Sequence, residues 1–397
     1  MSTRTHALLA AVAGTLAVVT ATLPSAPSLA AEPTLTPVVA DVLWPPRPMQ
    51  GSDSQVHLVY ELQLSNPTPL ALAVDEVEVL DESGRVLLSM HRDTIGKRLS
   101  IGGRRGAEAA SLAAGQFGVL FVHVPLPSAR PVPKRLRHRL AAALVEPDRP
   151  ARPVDVTVGD AGVIEAAQLV LGPPLRGAGF VAGDGCCDSI RHVRALLPLD
   201  GRFTLAQRFA IDWEQLDADG RLVRGDPKKV ESYTIFGREV IAVADGTVIA
   251  MRNDLPEQVP GALPDGLPID QADGNFVVLD IGNGAFALFA HMQPGSVTVR
   301  PGATVKRGDV LGKVGNTGNS SEPHLHFHVM DGPSPLASNG LPYVIDRFRL
   351  TAVATGGTAD YDKAAATGSP MSLKTLADRP RLERLLPTDL SVVEFSR

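Results

Sequence analysis

Three histidines alternate with apolar residues in the short segment 323–329. If this segment is a strand, His324, His326 and His328 point to one face and the apolar residues between them point to the other. Neutral imidazole is a common zinc ligand, and ligands two residues apart suit a strand. A row of solvent-facing polar side chains is the alternative. Four of the ten histidines fall within 291–328, which favours a zinc site.

The segment lies in a region of short, glycine-punctuated strands that begins near residue 172. Two apolar runs, 276–281 and 285–290, flank Gly282-Asn283-Gly284, which is typical of a β-hairpin. Residues 241–248 read as a strand, a tight turn and a second strand. The pattern predicts an antiparallel β domain over 172–355.

An ordered series of motifs within 195–335 gives this domain a family resemblance. In chain order the motifs are Ala210-Ile211-Asp212-Trp213, Asp245-Gly246-Thr247-Val248, Phe289-Ala290-His291-Met292, Gly302, Gly308, Gly312, Gly315-Asn316-Thr317-Gly318 and Pro323-His324-Leu325-His326-Phe327. The series resembles the LytM/lysostaphin-type zinc endopeptidases, which are peptidoglycan hydrolases. The resemblance therefore implies a LytM-like β-sheet peptidase domain that binds one zinc ion.

The resemblance also implies a role for each matching residue. Asp212 and His326 become zinc ligands, and His291 and His324 become the pair that orients the attacking water and stabilises the oxyanion. The implied reaction is hydrolysis of a peptide amide by a zinc-activated water.

The sequence departs from the family pattern at one ligand. The family places a histidine four residues before the aspartate, whereas this chain has Arg208 there. Arginine stays protonated and offers no lone pair to a metal. His328 is the expected replacement because it would share a strand face with His326. A Gln207 oxygen and His192 remain the alternatives.

Two functions follow from this pattern. The first is an exported zinc-dependent endopeptidase that cuts stem peptides or cross-links of peptidoglycan. The alternative is a catalytically degenerate LytM-like domain that binds peptidoglycan or activates a partner cell-wall hydrolase. A binder has no need to keep the aspartate and three histidines together, which favours the enzyme.

The composition argues against several other classes of protein. The chain has 397 residues and a net charge of -5, which argues against a protein whose main ligand is nucleic acid. Its 2 cysteines exclude a disulfide scaffold. They are adjacent, Cys186 and Cys187, and a local bond between them is the leading expectation.

The first 30 residues have the pattern of a signal peptide. Arg4 precedes an apolar stretch at 7–23, and Ser28-Leu29-Ala30 supplies small residues for cleavage after Ala30. The expected location is periplasmic or extracellular, without a stable membrane span after cleavage.

Residues 31–124 contain short strands without a helical period. The alternation in 56–64 is that of a half-buried strand, and the spacing of the strands predicts an antiparallel β-sandwich. His57, His91 and His123 appear scattered through this region, so we expect structural or surface roles for them.

Two further segments complete the predicted organisation. Prolines crowd residues 125–171, which predicts a proline-rich connector, and 356–397 is a tail in which 390–395 is expected to return as a strand. Between Arg92 and Arg139 ten Lys or Arg residues face two acidic ones, an excess of +8. This basic segment, 92–139, is a candidate site for an anionic envelope polymer.

Overall fold

The structure is a computed structural model that describes residues 34–102 and 109–395. The predicted signal peptide lies outside these residues. The first half of the described chain consists of ten strands and one short helix. These are β1 Val39–Val42, β2 Met49–Gln50, β3 Gln55–Ser65, β4 Ala71–Asp81, β5 Val86–His91, α1 Arg92–Arg98, β6 Leu99–Ser100, β7 Ser111–Leu112, β8 Phe117–Pro127, β9 Arg135–Val145 and β10 Arg152–Gly162.

These strands form the predicted antiparallel sandwich. One sheet has the order β1-β3-β8-β6 with β2 on β3, and the other has the order β10-β9-β4-β5 with β7 on β4. The alternation of β3 sends Leu58, Tyr60 and Leu62 into the core between the sheets. Its other face is buried as well, because the second half of the chain packs there: Val59 belongs to the core of that half.

Residues 125–171 are not a connector, which corrects that prediction. β9 pairs with β4 along its whole length, and β10 pairs with β9. Four of the seven prolines in this range lie in turns beside these strands, and Pro125 and Pro127 lie at the end of β8. Pro153 lies on β10, an edge strand whose backbone tolerates the missing donor. Proline density therefore does not mark a connector here.

The second half of the described chain has sixteen strands and one helix. They are β11 Leu169–Leu171, β12 Gly177–Gly183, β13 Leu197–Leu199, β14 Arg202–Thr204, β15 Ile211–Gln215, β16 Glu239–Ile241, β17 Gly246–Arg252, β18 Asn275–Asp280, β19 Phe286–Met292, β20 Thr304–Val305, β21 Val310–Lys313, β22 Leu325–Met330, β23 Tyr343–Ala354, α2 Gly357–Thr367, β24 Leu373–Thr375, β25 Arg381–Leu385 and β26 Ser391–Phe395. Two 3-10 turns, Val230–Ser232 and Ile269–Gln271, complete it.

A large, mostly antiparallel sheet organises this half. Its order is β11-β23-β26-β12-β15-β22-β19-β18-β17-β20, with β24 and β25 on β23. The predicted hairpin is confirmed between β18 and β19, where Asn283 takes a positive φ of 55° between two glycines. The all-β prediction is confirmed for both halves, with one parallel pair, β11 and β23, in the large sheet.

The C-terminal segment is part of this sheet. β26 lies between β12 and β23, and its Val393 and Phe395 side chains are buried. The return of 390–395 as a strand is therefore confirmed, and the separate tail that was predicted over 356–397 is corrected.

The prediction that the histidines of the sandwich are scattered also changes. His57 and His123 are not scattered, since His57 Nδ1 lies 2.9 Å from His123 Nε2. With Cys187, which is bonded to Cys186, they form a small group where the two halves meet. Sequence spacing missed this because the two histidines are diagonal neighbours on the paired strands β3 and β8.

In the described part of the chain, four of the ten basic residues of the segment 92–139 form ion pairs with acidic residues outside it. Arg98 pairs with Asp188, and Arg139 bonds Asp155 at 2.6 Å. These pairs reduce the positive charge left for an anionic polymer, and binding of such a polymer stays a prediction. No helix in the described residues is both long and apolar enough to cross a membrane.

Candidate metal centre

Adjacent strands of the large sheet bring the predicted site residues together. β15 pairs with β22 so that Asp212 lies directly opposite His326. β19 pairs with the other edge of β22, placing Ala290 opposite His326 and His291 one residue further along. His324 precedes β22 at the same end. Residues far apart in sequence therefore meet because antiparallel pairing fixes their register.

Asp212 is the centre of this group. Its Oδ1 lies 2.8 Å from His326 Nδ1 and 3.4 Å from His324 Nε2. Its Oδ2 lies 3.2 Å from the Nε2 of His192, which belongs to the loop after β12. His291 joins the group through a tilted ring contact, with its centroid 4.7 Å from that of His324.

Backbone carbonyls fix the orientation of three of these rings. The Nδ1 of His192 donates to Asp184 O at 2.8 Å, and the Nδ1 of His291 donates to Thr317 O at 2.7 Å. His324 Nδ1 donates to the carbonyl of Glu322 at 2.7 Å. A carbonyl only accepts, so each Nδ1 carries a proton, and in the neutral form of each ring Nε2 keeps its lone pair.

His328 lies behind His326. Its Nδ1 is 2.9 Å from His326 Nε2, on the ring edge away from Asp212, and the residue is fully buried. In the described part of the chain, His328 is in none of the groups whose donor atoms could hold a metal. It instead orients the His326 ring, as outer partners of metal-ligating histidines do.

Arg208 points away from the centre. Its Nε and Nη2 donate to the two oxygens of Glu61, on β3 of the sandwich, at 3.0 and 2.7 Å. Its Nη1 donates to Gly340 O at 3.2 Å, and its guanidinium lies 5.2 Å from the ring centre of Trp44. The arginine therefore joins the two halves of the protein and does not bring its charge to Asp212.

The donor atoms around Asp212 suit a zinc ion. His192, Asp212 and His326 each offer one ligand atom, and these atoms lie within 4.8 Å of one another. Two imidazole nitrogens and one carboxylate oxygen, with an open side for water, are a common catalytic zinc set. His291, His324 and His326 form a second such group.

Charge and burial tune these groups in opposite directions. Burial raises the pKa of Asp212, but the neighbouring His192 and His324 outweigh it and hold that pKa well below its usual range. Burial lowers the pKa of His192, yet the Asp212 carboxylate raises it to about 9. Burial, with repulsion from His324 and His326, holds the pKa of His291 well below its usual value, so its imidazole is neutral at pH 7.

His291 also adopts an unusual backbone conformation. Its φ of 60° lies in the left-handed region, which is sparsely populated by non-glycine residues. The backbone N–H of His291 donates to Asp273 O at 3.0 Å, and its ring bonds Thr317. Strain of this kind persists where surrounding contacts impose it, and it concentrates at functional sites.

A cavity of about 320 Å³ opens onto these side chains. Gln207 lines it, as do Leu263, Ala272 and Asp273 from the proline-rich insertion at 253–273. The insertion is held in place, since Gly261 N donates to Ser321 O at 2.7 Å. It therefore forms one wall of the cavity.

Residues 230–338 match peptidase family M23. The chain is 26% identical over 147 residues to the peptidoglycan DD-endopeptidase ShyA of Vibrio cholerae, which is 36% of this chain and 28% of ShyA. It is 31% identical over 98 residues to the cell division protein DipM of Caulobacter vibrioides, which is 25% of this chain and 13% of DipM. The matches thus span less than a third of either relative.

Solved structures of the same type are similar in part. The catalytic domain of the M23 protein EnpA from Enterococcus faecalis is 18% identical, with a TM-score of 0.26, covering 43% of this chain and 92% of that one. The catalytic domain of lysostaphin from Staphylococcus simulans is 19% identical, with a TM-score of 0.23, covering 41% and 88%. The family match includes His291, His324 and His326. Residues 230–338 of this protein are therefore a LytM-type domain of peptidase family M23.

Proposed function

We propose that this protein is an exported zinc-dependent endopeptidase of peptidoglycan peptides in which His192 replaces the first histidine ligand of the family. The observation that carries the proposal is the 3.2 Å approach of His192 Nε2 to Asp212 Oδ2, beside His326 Nδ1 at 2.8 Å from Oδ1. His192, Asp212 and His326 would hold the metal. The substrate class follows from ShyA, a peptidoglycan DD-endopeptidase.

Zinc bound by such a set supplies Lewis-acid activation of a water molecule and of a peptide carbonyl. The remaining chemistry belongs to the protein. His291 is neutral, with its Nε2 lone pair free, so it can accept a proton from the attacking water and return it to the leaving amine. His324, with Nδ1 fixed on Glu322 O, presents its Nε2 beside it, where it can take the same proton and, once protonated, donate to the developing oxyanion.

The geometry favours the enzyme over the degenerate binder for a specific reason. The binder hypothesis rests on the loss of a ligand at Arg208. Arg208 is engaged with Glu61, and a histidine from another loop meets Asp212. Export is supported by the pattern of residues 1–30 and by the cell-wall role that the name of ShyA gives for that relative.

The test is zinc content and peptide cleavage in four single variants. We expect about one zinc per chain in the wild type and release of cleaved products from cross-linked muropeptides. His192→Ala and His326→Ala should lose both, whereas His328→Ala should keep most of its zinc. His91→Ala is the matched control, because His91 is exposed and far from the centre in sequence.

Two outcomes would contradict the proposal. Zinc retained in His192→Ala but lost in His328→Ala would assign the third ligand to His328. Failure of the wild type to take up zinc or to cleave muropeptides, with intact sedimentation on peptidoglycan, would instead identify a binding domain.

A further inference from the structure

Asp273 is held rigidly beside the acid–base pair of the candidate centre. It ends the insertion at 253–273, and its carbonyl accepts the backbone N–H of His291 at 3.0 Å. The carbonyl of the preceding Ala272 accepts Asn319 N–H at 2.9 Å. The following Gly274 has a φ of 63° and no room for a side chain against Thr317. The backbone therefore fixes where the Asp273 side chain begins.

Asp273 is buried and lines the cavity, and its carboxylate has no partner among the described residues. The residue is only 8% exposed, and it lines the same cavity as Asp212, His291 and His324. Among residues 34–102 and 109–395, no hydrogen bond or ion pair reaches its side chain, and burial alone raises its pKa to about 7. A buried carboxylate without a partner is destabilising, so such groups are normally neutralised or paired.

The other carboxyl groups of the cavity differ in this respect. Asp184 accepts hydrogen bonds from Ser189 Oγ and Arg191 Nη1, each at 2.7 Å. Asp212 is surrounded by histidines, and Glu322 accepts a hydrogen bond from the Ser321 hydroxyl. Asp273 is thus the carboxyl group of this cavity for which the described residues supply neither a counter-charge nor a hydrogen-bond donor.

We propose that Asp273 is a subsite for a protonated primary amine of the peptide substrate, close to the bond that is cut. The inference rests on the proposed endopeptidase function. An anion would be repelled, and Asp273 is in none of the described groups whose donors converge on a metal position. An alkylammonium group supplies one positive charge and three hydrogen-bond donors to a single carboxylate. The amine is either the side chain of a diamino acid or a peptide N-terminus.

The experiment is a thermodynamic cycle in which Asp273 of the enzyme and the amine of the substrate are changed singly and together. Zinc-loaded wild type, Asp273→Asn and Asp265→Asn are assayed on three synthetic cross-linked stem-peptide dimers. One dimer has all amines free, one is acetylated on the side-chain amine, and one is acetylated at the N-terminus. Asp265→Asn is the matched control, because Asp265 is an exposed residue of the same insertion.

We expect acetylation of the recognised amine to lower kcat/KM of the wild type about 10- to 100-fold, the range for a hydrogen bond to a charged group. Asp273→Asn should lower kcat/KM on the free-amine peptide to that same level and leave the acetylated peptide unaffected. Asp265→Asn should behave as wild type. The acetylation that lowers kcat/KM of the wild type identifies the source of the amine. Zinc content and melting temperature of Asp273→Asn confirm that the variant is folded.

Equal cleavage of all three peptides by the wild type overturns the subsite and leaves the endopeptidase intact. An equal loss on every peptide in Asp273→Asn also overturns it, because the residue would then act on the catalytic groups. If the wild type cleaves nothing, the endopeptidase fails. Calorimetric binding of the same peptides then decides the subsite: amine-dependent binding lost in Asp273→Asn sustains it, and its absence overturns it.

Discussion

Arg208 and Asp212 are buried charges four residues apart, yet their surroundings differ completely. Arg208 meets Glu61 through two hydrogen bonds, and both side chains are shielded, at 6% and 0% exposure. Asp212 meets three imidazoles, and its side chain keeps 15% exposure toward a cavity. The first charge is fully satisfied within the protein, and the second is arranged so that a metal ion can join it.

The difference shows that the short segment 208–212 contributes both to packing between the two halves and to the candidate metal centre. At Arg208 the family pattern has a metal ligand, but here the position holds the sandwich against the peptidase half. Under the proposed function the ligand role passes to the loop after β12, where His192 Nδ1 is fixed on Asp184 O. The family motif compared position by position reports a lost ligand, although a histidine from another loop lies beside Asp212.

The largest effect is expected at Asp212, the charge of the candidate metal centre. Asp212→Asn keeps the shape of the side chain but removes the charge that would offset zinc, so zinc should be lost and muropeptide cleavage should fall by at least about 1,000-fold. Elemental analysis and product release measure these two effects. A variant that keeps both zinc and activity would refute the role of Asp212.

The ion pair between Arg208 and Glu61 should affect the stability of the fold and leave zinc binding unchanged. Glu61→Ala leaves the Arg208 guanidinium buried without its counter-charge, which should lower the free energy of unfolding by about 3–5 kcal/mol. Zinc per folded chain should stay at the wild-type level. Urea unfolding measures the loss.

The double variant Glu61→Leu with Arg208→Met is the control for this pair. Removing both charges leaves no buried ion, so most of the lost stability should return. If Glu61→Ala instead loses zinc while remaining folded, then the ion pair and the metal centre are not separate devices.

Much of the fold could be predicted from local patterns, because alternation and turn residues act over a few positions. The strand around 56–64 and the hairpin at Gly282-Asn283-Gly284 are such cases, and the structure confirms both. Proline density misled at 125–171, since turn prolines and connector prolines look alike in sequence. The place of β26 inside the large sheet depends on pairing with β12 and β23, which no local pattern encodes.

The candidate site was predictable to the extent that strand register governs it. Asp212, His291, His324 and His326 came from motifs, and the structure brings these four together. His192 was only one of three alternatives, because it lies 20 residues before Asp212 on an irregular loop. Its one sequence signal is that no other histidine occurs between it and His291.

A third, smaller effect is expected at Asp273, a buried carboxyl group without a hydrogen-bond or ion-pair partner among the described residues. Burial raises its pKa from 3.8 to about 7, so the folded state holds this proton more tightly than the unfolded state. Stability from this group is full below pH 3.8 and is lost as the pH rises through 7. Asp273→Asn should therefore stabilise the substrate-free protein by about 1–3 kcal/mol at pH 8 and not at pH 4.

Urea unfolding at the two pH values checks this, with Asp265→Asn as the exposed control that should change neither value. The prediction fails if Asp273→Asn is less stable than the wild type at pH 8, because its carboxylate would then have a partner in the folded protein.

The smallest effect is expected at His328, which distinguishes a residue behind the centre from one within it. If His326 Nδ1 held a metal, its ring proton would sit on Nε2 and would be donated to His328 Nδ1, which lies 2.9 Å away. His328→Ala removes that acceptor and should weaken zinc binding about 10- to 100-fold without abolishing it. His328→Gln, which offers a carbonyl oxygen, should recover part of the loss. Competition with a chelator measures both affinities, and a loss as complete as that of His326→Ala would make His328 a ligand.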